Sequence, residues 1–208
     1  MQKRRALAAA SLALLAAPAL ALEPPINAGA AFLDAFKSAC IPQRQSFEGT
    51  KANALAEGWA SVADDQHPEL AALLEKSRAG MVDPEYPDWH GILAPYAKDV
   101  DGRPHHLIVL HFIAPGTANY IGCYLYDFDA LDVIDPRLVT AFTGNPIARE
   151  IRQDGITAYL WGPPKGLMGT GDVYMTHIAQ GSPHEATTGF SGLMMKFDTY
   201  EPGSGEGE

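Results

Sequence analysis

The fold of this chain is indicated most clearly by residues 119–128, NYIGCYLYDF, where aromatic and aliphatic side chains alternate. Alternation with a period of two is typical of a β-strand, because successive side chains point to opposite faces of a sheet. Two further strand-like runs precede it, GILAPYAKDV (91–100) and RPHHLIVLHFIA (103–114). The Asp101-Gly102 pair between those two runs predicts a tight hairpin turn, so we expect antiparallel neighbours.

The second half of the chain continues the sheet after one interruption. Residues 135–144, DPRLVTAFTG, combine an N-cap aspartate, a proline at the first helical position and a final glycine, and therefore predict one short helix. A second hairpin is predicted around Asp154-Gly155 within residues 147–162. Residues 172–181 and 187–200 are then interpreted as the last two strands.

The first part of the chain is predicted to form three helices, in residues 27–40, 50–62 and 67–80. We expect Asn27 and Thr50 to cap the first two helices, and Pro68 and Gly80 to begin and end the third. The buried stripe of the second helix is predicted to be Leu55, Trp59 and Val62. The element order predicts an α+β fold in which N-terminal helices pack on a mostly antiparallel sheet of about six or seven strands, with one short helix inserted between strands.

The first 21 residues have the three parts of a secretory signal peptide. Lys3, Arg4 and Arg5 are followed by an uncharged apolar run over residues 6–17, and Ala19-Leu20-Ala21 matches a small-x-small cleavage site. The alternative, a buried helix, leaves these flanking features unexplained. We therefore predict a signal peptide over residues 1–21, cleaved after Ala21, a single domain over residues 22–200 and a disordered acidic tail over residues 201–208.

The charge balance of the chain argues against nucleic acid as a partner. Removing residues 1–21 takes away three of the 15 Lys and Arg residues and none of the 25 Asp and Glu residues, which leaves a net charge of −13 with His neutral. Nucleic-acid binding requires a basic stripe that the sequence lacks. No second long apolar stretch follows the signal, so we expect no membrane span after its removal.

The chain contains two cysteines, Cys40 near the end of the first predicted helix and Cys123 in the middle of a predicted core strand. In an oxidising compartment such a pair forms a disulfide, which is our prediction. Two inert buried thiols are an alternative. A reactive thiol is a further alternative, although Cys40 lies at the wrong helix end and Cys123 has apolar neighbours, so neither has the setting that lowers a thiol pKa.

Other motifs fail their spacing tests, so the sequence predicts no catalytic residue, no metal ligand and no cofactor site. His105 and His111 share a strand face but are about 20 Å apart, too far to bind one ion. Residues 127–135, DFDALDVID, lack the glycine and the terminal glutamate of a calcium loop. Residues 166–172, GLMGTGD, lead into a strand rather than a helix, and Ser191 lacks the nucleophile-elbow spacing.

Several of these residues together resemble a group of small exported proteobacterial proteins of unknown function. The shared pattern is a helical Phe…Cys start, a following Gly-Trp pair, a second cysteine on a central strand and a short helix after it. The matching positions are Phe32, Cys40, Gly58, Trp59, Cys123, Leu138 and Gly144. The resemblance implies a periplasmic or secreted location and supports the disulfide, but it implies no catalytic residue.

These observations lead to three functional hypotheses for a periplasmic or secreted protein. The first is a non-enzymatic binding or interaction domain for an unknown protein or small-molecule ligand, with a partner surface formed by residues 84–90 and 161–168. The second is a cell-envelope hydrolase that uses His111 or His177 with a nearby aspartate. The third is a structural or stress-related envelope protein.

Overall fold

Residues 29–203 are described by a computed structural model. The helices are α1 (Ala30–Cys40), α2 (Phe47–Ala56), α3 (Pro68–Gly80), α4 (Pro136–Thr143) and α5 (Pro183–Thr188). The strands are β1 (Ala60–Ser61), β2 (His90–Val100), β3 (Arg103–Ile113), β4 (Tyr120–Asp127), β5 (Ile147–Gln153), β6 (Ile156–Trp161), β7 (Val173–Ile178) and β8 (Gly192–Tyr200). The predicted signal peptide, the predicted cap Asn27 and residues 204–208 lie outside the described residues. None of the helices just named is long and apolar enough to cross a membrane.

The eight strands form one antiparallel sheet in the order β1-β2-β3-β4-β8-β7-β6-β5. Both predicted hairpin turns are present, and Asp101-Gly102 and Asp154-Gly155 have the positive φ values that such turns require. The predicted α+β class is confirmed. The strand number is higher than the predicted six or seven because the two-residue β1 also pairs with β2.

One face of the sheet is covered by α1, α2 and α4. Phe36 of α1 is fully buried, and its ring packs edge-on against Phe197 of β8 with the centroids 5.4 Å apart. A disulfide joins Cys40, the last residue of α1, to Cys123 in the middle of β4, with the Cα atoms 5.8 Å apart. The predicted disulfide is thereby confirmed, and it links the first helix to the centre of the sheet.

The opposite face of the sheet carries α3 at one end. Helix α3 begins at Pro68, as predicted, and the side chain of His67 caps it by accepting the N–H of Glu69 at 3.2 Å. Its buried leucines pack against residues of β3, β4, β7 and the segment before β8. The residues of this second core are Leu70, Leu73, Leu74, Ile108, Tyr126, Phe128, Ile178 and Phe190.

The prediction for α2 is wrong in its bounds and in one buried residue. Ser46, not Thr50, caps the helix, because the Ser46 side chain accepts the N–H of Gly49 at 3.0 Å. The helix ends at Ala56, and Gly58 turns the chain with a φ of 84°. Trp59 is therefore buried from the segment after the helix, whereas Leu55 points outward and is 54 % exposed.

Candidate ligand-binding site

Helix α3 covers one end of its face of the sheet. The other end of that face is not covered by any helix within residues 29–203. There the strand register aligns three cross-strand rows of side chains, of which the two outer rows are mainly aromatic and the middle row has a single glycine at its centre. The rows are Phe112–Tyr120–Tyr200, Leu110–Gly122–Asp198 and Tyr124–Lys196–Tyr174. Residues from each row line an open cleft with a volume of about 360 Å³, which we call the aromatic cleft. Its lining residues are Leu110, Phe112, Tyr120, Gly171, Asp172, Tyr174, Asp198 and Tyr200.

Gly122 makes room beneath the cleft. A Cβ atom at this position would overlap the ring of Tyr124 and would lie 2.9 Å from Oδ1 of Asp198. Because Gly122 has no side chain, Tyr124 leans across it and donates its phenol O–H to Oδ1 of Asp198 at 3.0 Å. A glycine inside a core strand therefore marks a close approach of two neighbouring side chains, and here it lets Tyr124 reach Asp198, which lines the cleft.

The polar groups of the cleft are partly paired with one another. Nζ of Lys196 lies 3.5 Å from Oδ2 of Asp198 and over the rings of Tyr124 and Tyr174, 5.2 Å and 5.1 Å from their centroids. Burial and the charge of Asp198 hold the pKa of Tyr124 well above its usual value. Tyr124 is therefore a neutral hydrogen-bond donor at physiological pH.

The second wall of the cleft comes from the loop before β7. The N–H of Gly171 donates to the backbone carbonyl oxygen of Asp198 at 2.7 Å, and the N–H of Tyr200 donates to the carbonyl oxygen of Gly169 at 3.0 Å. These bonds hold Asp172 at the cleft. No salt bridge of Asp172 is found within the described part of the chain, so this carboxylate carries a charge without an ion-pair partner there.

The aromatic rings continue from the cleft to the segment before β2. Tyr120 lies 4.9 Å from Tyr200 and 6.5 Å from Phe112, measured between ring centroids. Phe112 contacts Trp89 edge-on at 6.1 Å, and Trp89 stacks on Tyr86 at 4.1 Å. Burial and the neighbouring Tyr200 raise the pKa of Tyr120, which keeps its phenol uncharged at neutral pH.

Only half of the aromatic surface predicted from the sequence is placed at the cleft. Residues 84–90 adjoin it through Trp89. Trp161 is instead fully buried on the helix-covered face, where its Nε1–H donates to Oγ1 of Thr140 at 3.0 Å. Trp161 faces the opposite side of the sheet because it pairs with Val173, whereas its neighbour Leu160 pairs with Tyr174 on the cleft side.

The two histidines considered for hydrolysis have structural partners. Nε2 of His111 lies 3.1 Å from Oε2 of Glu201, and its ring stacks on Phe47. Nε2 of His177 lies 3.0 Å from the backbone carbonyl oxygen of Ala130. Ser191 donates its hydroxyl to Oε1 of Glu69 at 2.9 Å, and its N–H donates to Oε2 at 2.8 Å. These partners are a carboxylate or a carbonyl group, and they do not form a serine–histidine pair.

A cluster of the exposed Arg103 with the buried His105 and Asp127 is a feature that was not predicted from the sequence. Asp127 is fully buried, and its Oδ2 lies 2.8 Å from Nη2 of Arg103 and 3.5 Å from Nε2 of His105. Nδ1 of His105 lies 2.9 Å from the carbonyl oxygen of Arg103, which only accepts, so Nδ1 carries a proton. Nδ1 thus faces the carbonyl oxygen of Arg103 and Nε2 faces the carboxylate of Asp127, so both ring nitrogens point to groups of the same cluster.

The Arg103 cluster borders a second cavity of about 320 Å³ on the helix-covered face. Its guanidinium and buried carboxylate form an ion pair, which is the usual way in which a protein accommodates a buried charge. We therefore assign the cluster a structural role. Within residues 29–203, no three His, Cys, Asp or Glu side chains are grouped so that they could hold a metal ion.

Comparison with known proteins found no family model that matches the chain and no curated protein with significant sequence similarity to it.

Proposed function

We propose that the chain is an exported, non-enzymatic binding domain whose small-molecule site is the aromatic cleft. The observation that carries the proposal is a cleft lined by four aromatic rings, Phe112, Tyr120, Tyr174 and Tyr200, together with Asp198, on a sheet face that the helices of the described chain leave open. Small-molecule sites combine apolar and aromatic walls with a few convergent polar groups. The cleft provides both, within a volume at the lower end of the usual range.

Export is part of the same proposal. The basic, apolar and small-residue order of residues 1–21 is that of a secretory signal. The Cys40–Cys123 disulfide supports it, because such bonds persist in oxidising compartments and are rare in the cytosol. Membership in the group of small exported proteobacterial proteins that the chain resembles is likewise a proposal, consistent with the same two features.

The two other functional hypotheses receive less support. A hydrolase requires a base that is free to deprotonate a nucleophile, and the partners of His111, His177 and His105 described above do not favour that role. A purely structural role offers no reason for open aromatic rows, because exposed aromatic rings contribute little to stability and mark interaction sites. We therefore retain binding as the function.

Replacing Tyr200 by alanine is expected to weaken ligand binding about tenfold, because a ring that contributes about 1.4 kcal/mol to a bound complex is lost. Tyr200 is 51 % exposed, so the change should leave the fold intact. The measurement begins with thermal-shift screening of sugars, amino acids, organic cations and aromatic acids against the protein purified after export. Titration calorimetry then gives the affinity of each binder for the wild type and for Tyr200→Ala.

Leu55→Ala provides the control, because Leu55 is similarly exposed, at 54 %, and belongs to α2, on the other face of the sheet from the cleft. Its affinity for the same ligands should remain within about twofold of the wild type. Equal affinity of the wild type and Tyr200→Ala for every binder would show that the ligand site lies elsewhere.

A further inference from the structure

We propose that the aromatic cleft selects a small organic cation that carries an alkylated ammonium group. The inference rests on the proposed binding function and adds to it the chemical class of the ligand. It is drawn from the ring arrangement, the charges at the cleft and the way in which the surface already holds one ammonium group.

The rings provide the first argument. Phe112, Tyr120, Tyr174 and Tyr200 all line the cleft. The face of an aromatic ring is the negative end of its quadrupole, and a cation within about 6 Å of a ring centroid is attracted to it. Several rings around one small volume form the type of cage that recognises quaternary ammonium ligands.

Lys196 provides the second argument, because it shows the same recognition with the protein's own ammonium group. Nζ of Lys196 lies over two rings, Tyr124 and Tyr174, while Oδ2 of Asp198 lies 3.5 Å from it. Tyr174 and Asp198 also line the cleft, so the groups that hold this ammonium are shared with the proposed site.

The charges provide the third argument. Two carboxylates, Asp172 and Asp198, line the cleft, and Lys196 beside it offsets one of them. One negative charge therefore remains, on a protein whose sequence has a net charge of −10. The remaining charge disfavours an anionic ligand and complements a monocation.

The test compares choline with its neutral carbon isostere, 3,3-dimethylbutan-1-ol, which has the same shape and no charge. Both are titrated into the isotopically labelled protein, purified after export, and the backbone amide signals are followed by NMR. Choline is expected to shift the amides of Gly122, Gly171 and Tyr200 and to bind at least tenfold more tightly than the isostere.

Two variants test how charges at the cleft affect choline binding. Asp172→Asn should weaken choline binding about fivefold, because it removes the carboxylate that has no ion-pair partner in the described chain. Lys196→Met should strengthen choline binding about twofold, because it removes a competing positive charge and keeps a flexible side chain of similar length. Asp65→Asn, an exposed aspartate outside the cleft lining, is the control and should change nothing.

The outcomes separate this inference from the proposed function. If the isostere binds at the cleft as tightly as choline, or if both charge variants weaken binding equally, the cation selectivity is overturned and the binding function stands. If choline fails to bind while another class of ligand shifts the cleft amides, the selectivity is again overturned alone. If no ligand of the screen binds at the cleft, both proposals fail.

Discussion

Reduction of the Cys40–Cys123 disulfide is expected to lower the free energy of unfolding by about 4 to 5 kcal/mol. The two cysteines are 83 positions apart, and the loop between them contains α2, α3 and the first three strands. An unfolded chain without the bond explores many more conformations, and in the chain-entropy model this gain rises with the length of the loop. The loss is large for a domain, whose total stability is usually about 5 to 15 kcal/mol.

The measurement is urea unfolding of the oxidised protein, the reduced protein and the Cys40→Ala/Cys123→Ala double variant. The reduced protein retains both side chains, so it separates the loss of the cross-link from the loss of packing in the double variant. A difference below about 1 kcal/mol between the oxidised and reduced proteins would contradict the prediction. Two free thiols in the denatured, unreduced protein purified from the periplasm would contradict the disulfide itself.

Lowering the pH from 7 to 4 is expected to cost about 3 kcal/mol of stability through His106 alone. Burial lowers the pKa of His106 from 6.5 to about 4, and the neighbouring His67 and His105 add to this effect, while Asp129 opposes it. At pH values between about 4 and 6.5, His106 binds a proton in the unfolded chain but not in the folded protein. The contribution of the neutral His106 to the free energy of unfolding is therefore complete above pH 6.5 and is lost progressively as the pH falls towards 4.

The measurement is the free energy of unfolding as a function of pH for the wild type and His106→Phe, which keeps a ring beside Phe128 and removes the titrating group. The variant should show a shallower decline between pH 6.5 and 4. His90→Phe changes an exposed histidine and serves as the control, with the wild-type decline preserved. Identical slopes for the wild type and His106→Phe would show that His106 does not cause the decline.

Much of the fold could be predicted because its signals are local. The two Asp-Gly turns and the Asp135, Pro136 and Gly144 signals of α4 each lie within a few residues of the element they define. The cap of α2 was wrongly predicted at Thr50 because Ser46, four residues earlier, offers an equivalent cap. Which of the two residues caps the helix depends on where the helix packs. The two-residue β1 has no pattern of its own and exists because β2 offers it an open edge.

The aromatic cleft could be predicted only in part. The alternation in residues 119–128 already places Tyr120, Gly122 and Tyr124 on one face and Cys123 on the other. The residues opposite them, Asp198 and Tyr200, come from β8, more than 70 positions later, through a register that no local pattern specifies. The position at which α3 packs on the sheet depends on tertiary contacts. That position determines which part of the sheet face stays open to a ligand.

Chemical-shift mapping tests whether ligands bind at the aromatic cleft. The labelled protein is titrated with a mixed set of small sugars, amino acids, organic cations and aromatic acids. We expect the largest shifts caused by any binder to centre on the amides of Gly122, Gly171 and Tyr200. Shifts that centre instead on Arg103 and Asp127, beside the cavity of about 320 Å³ on the opposite face, would contradict it.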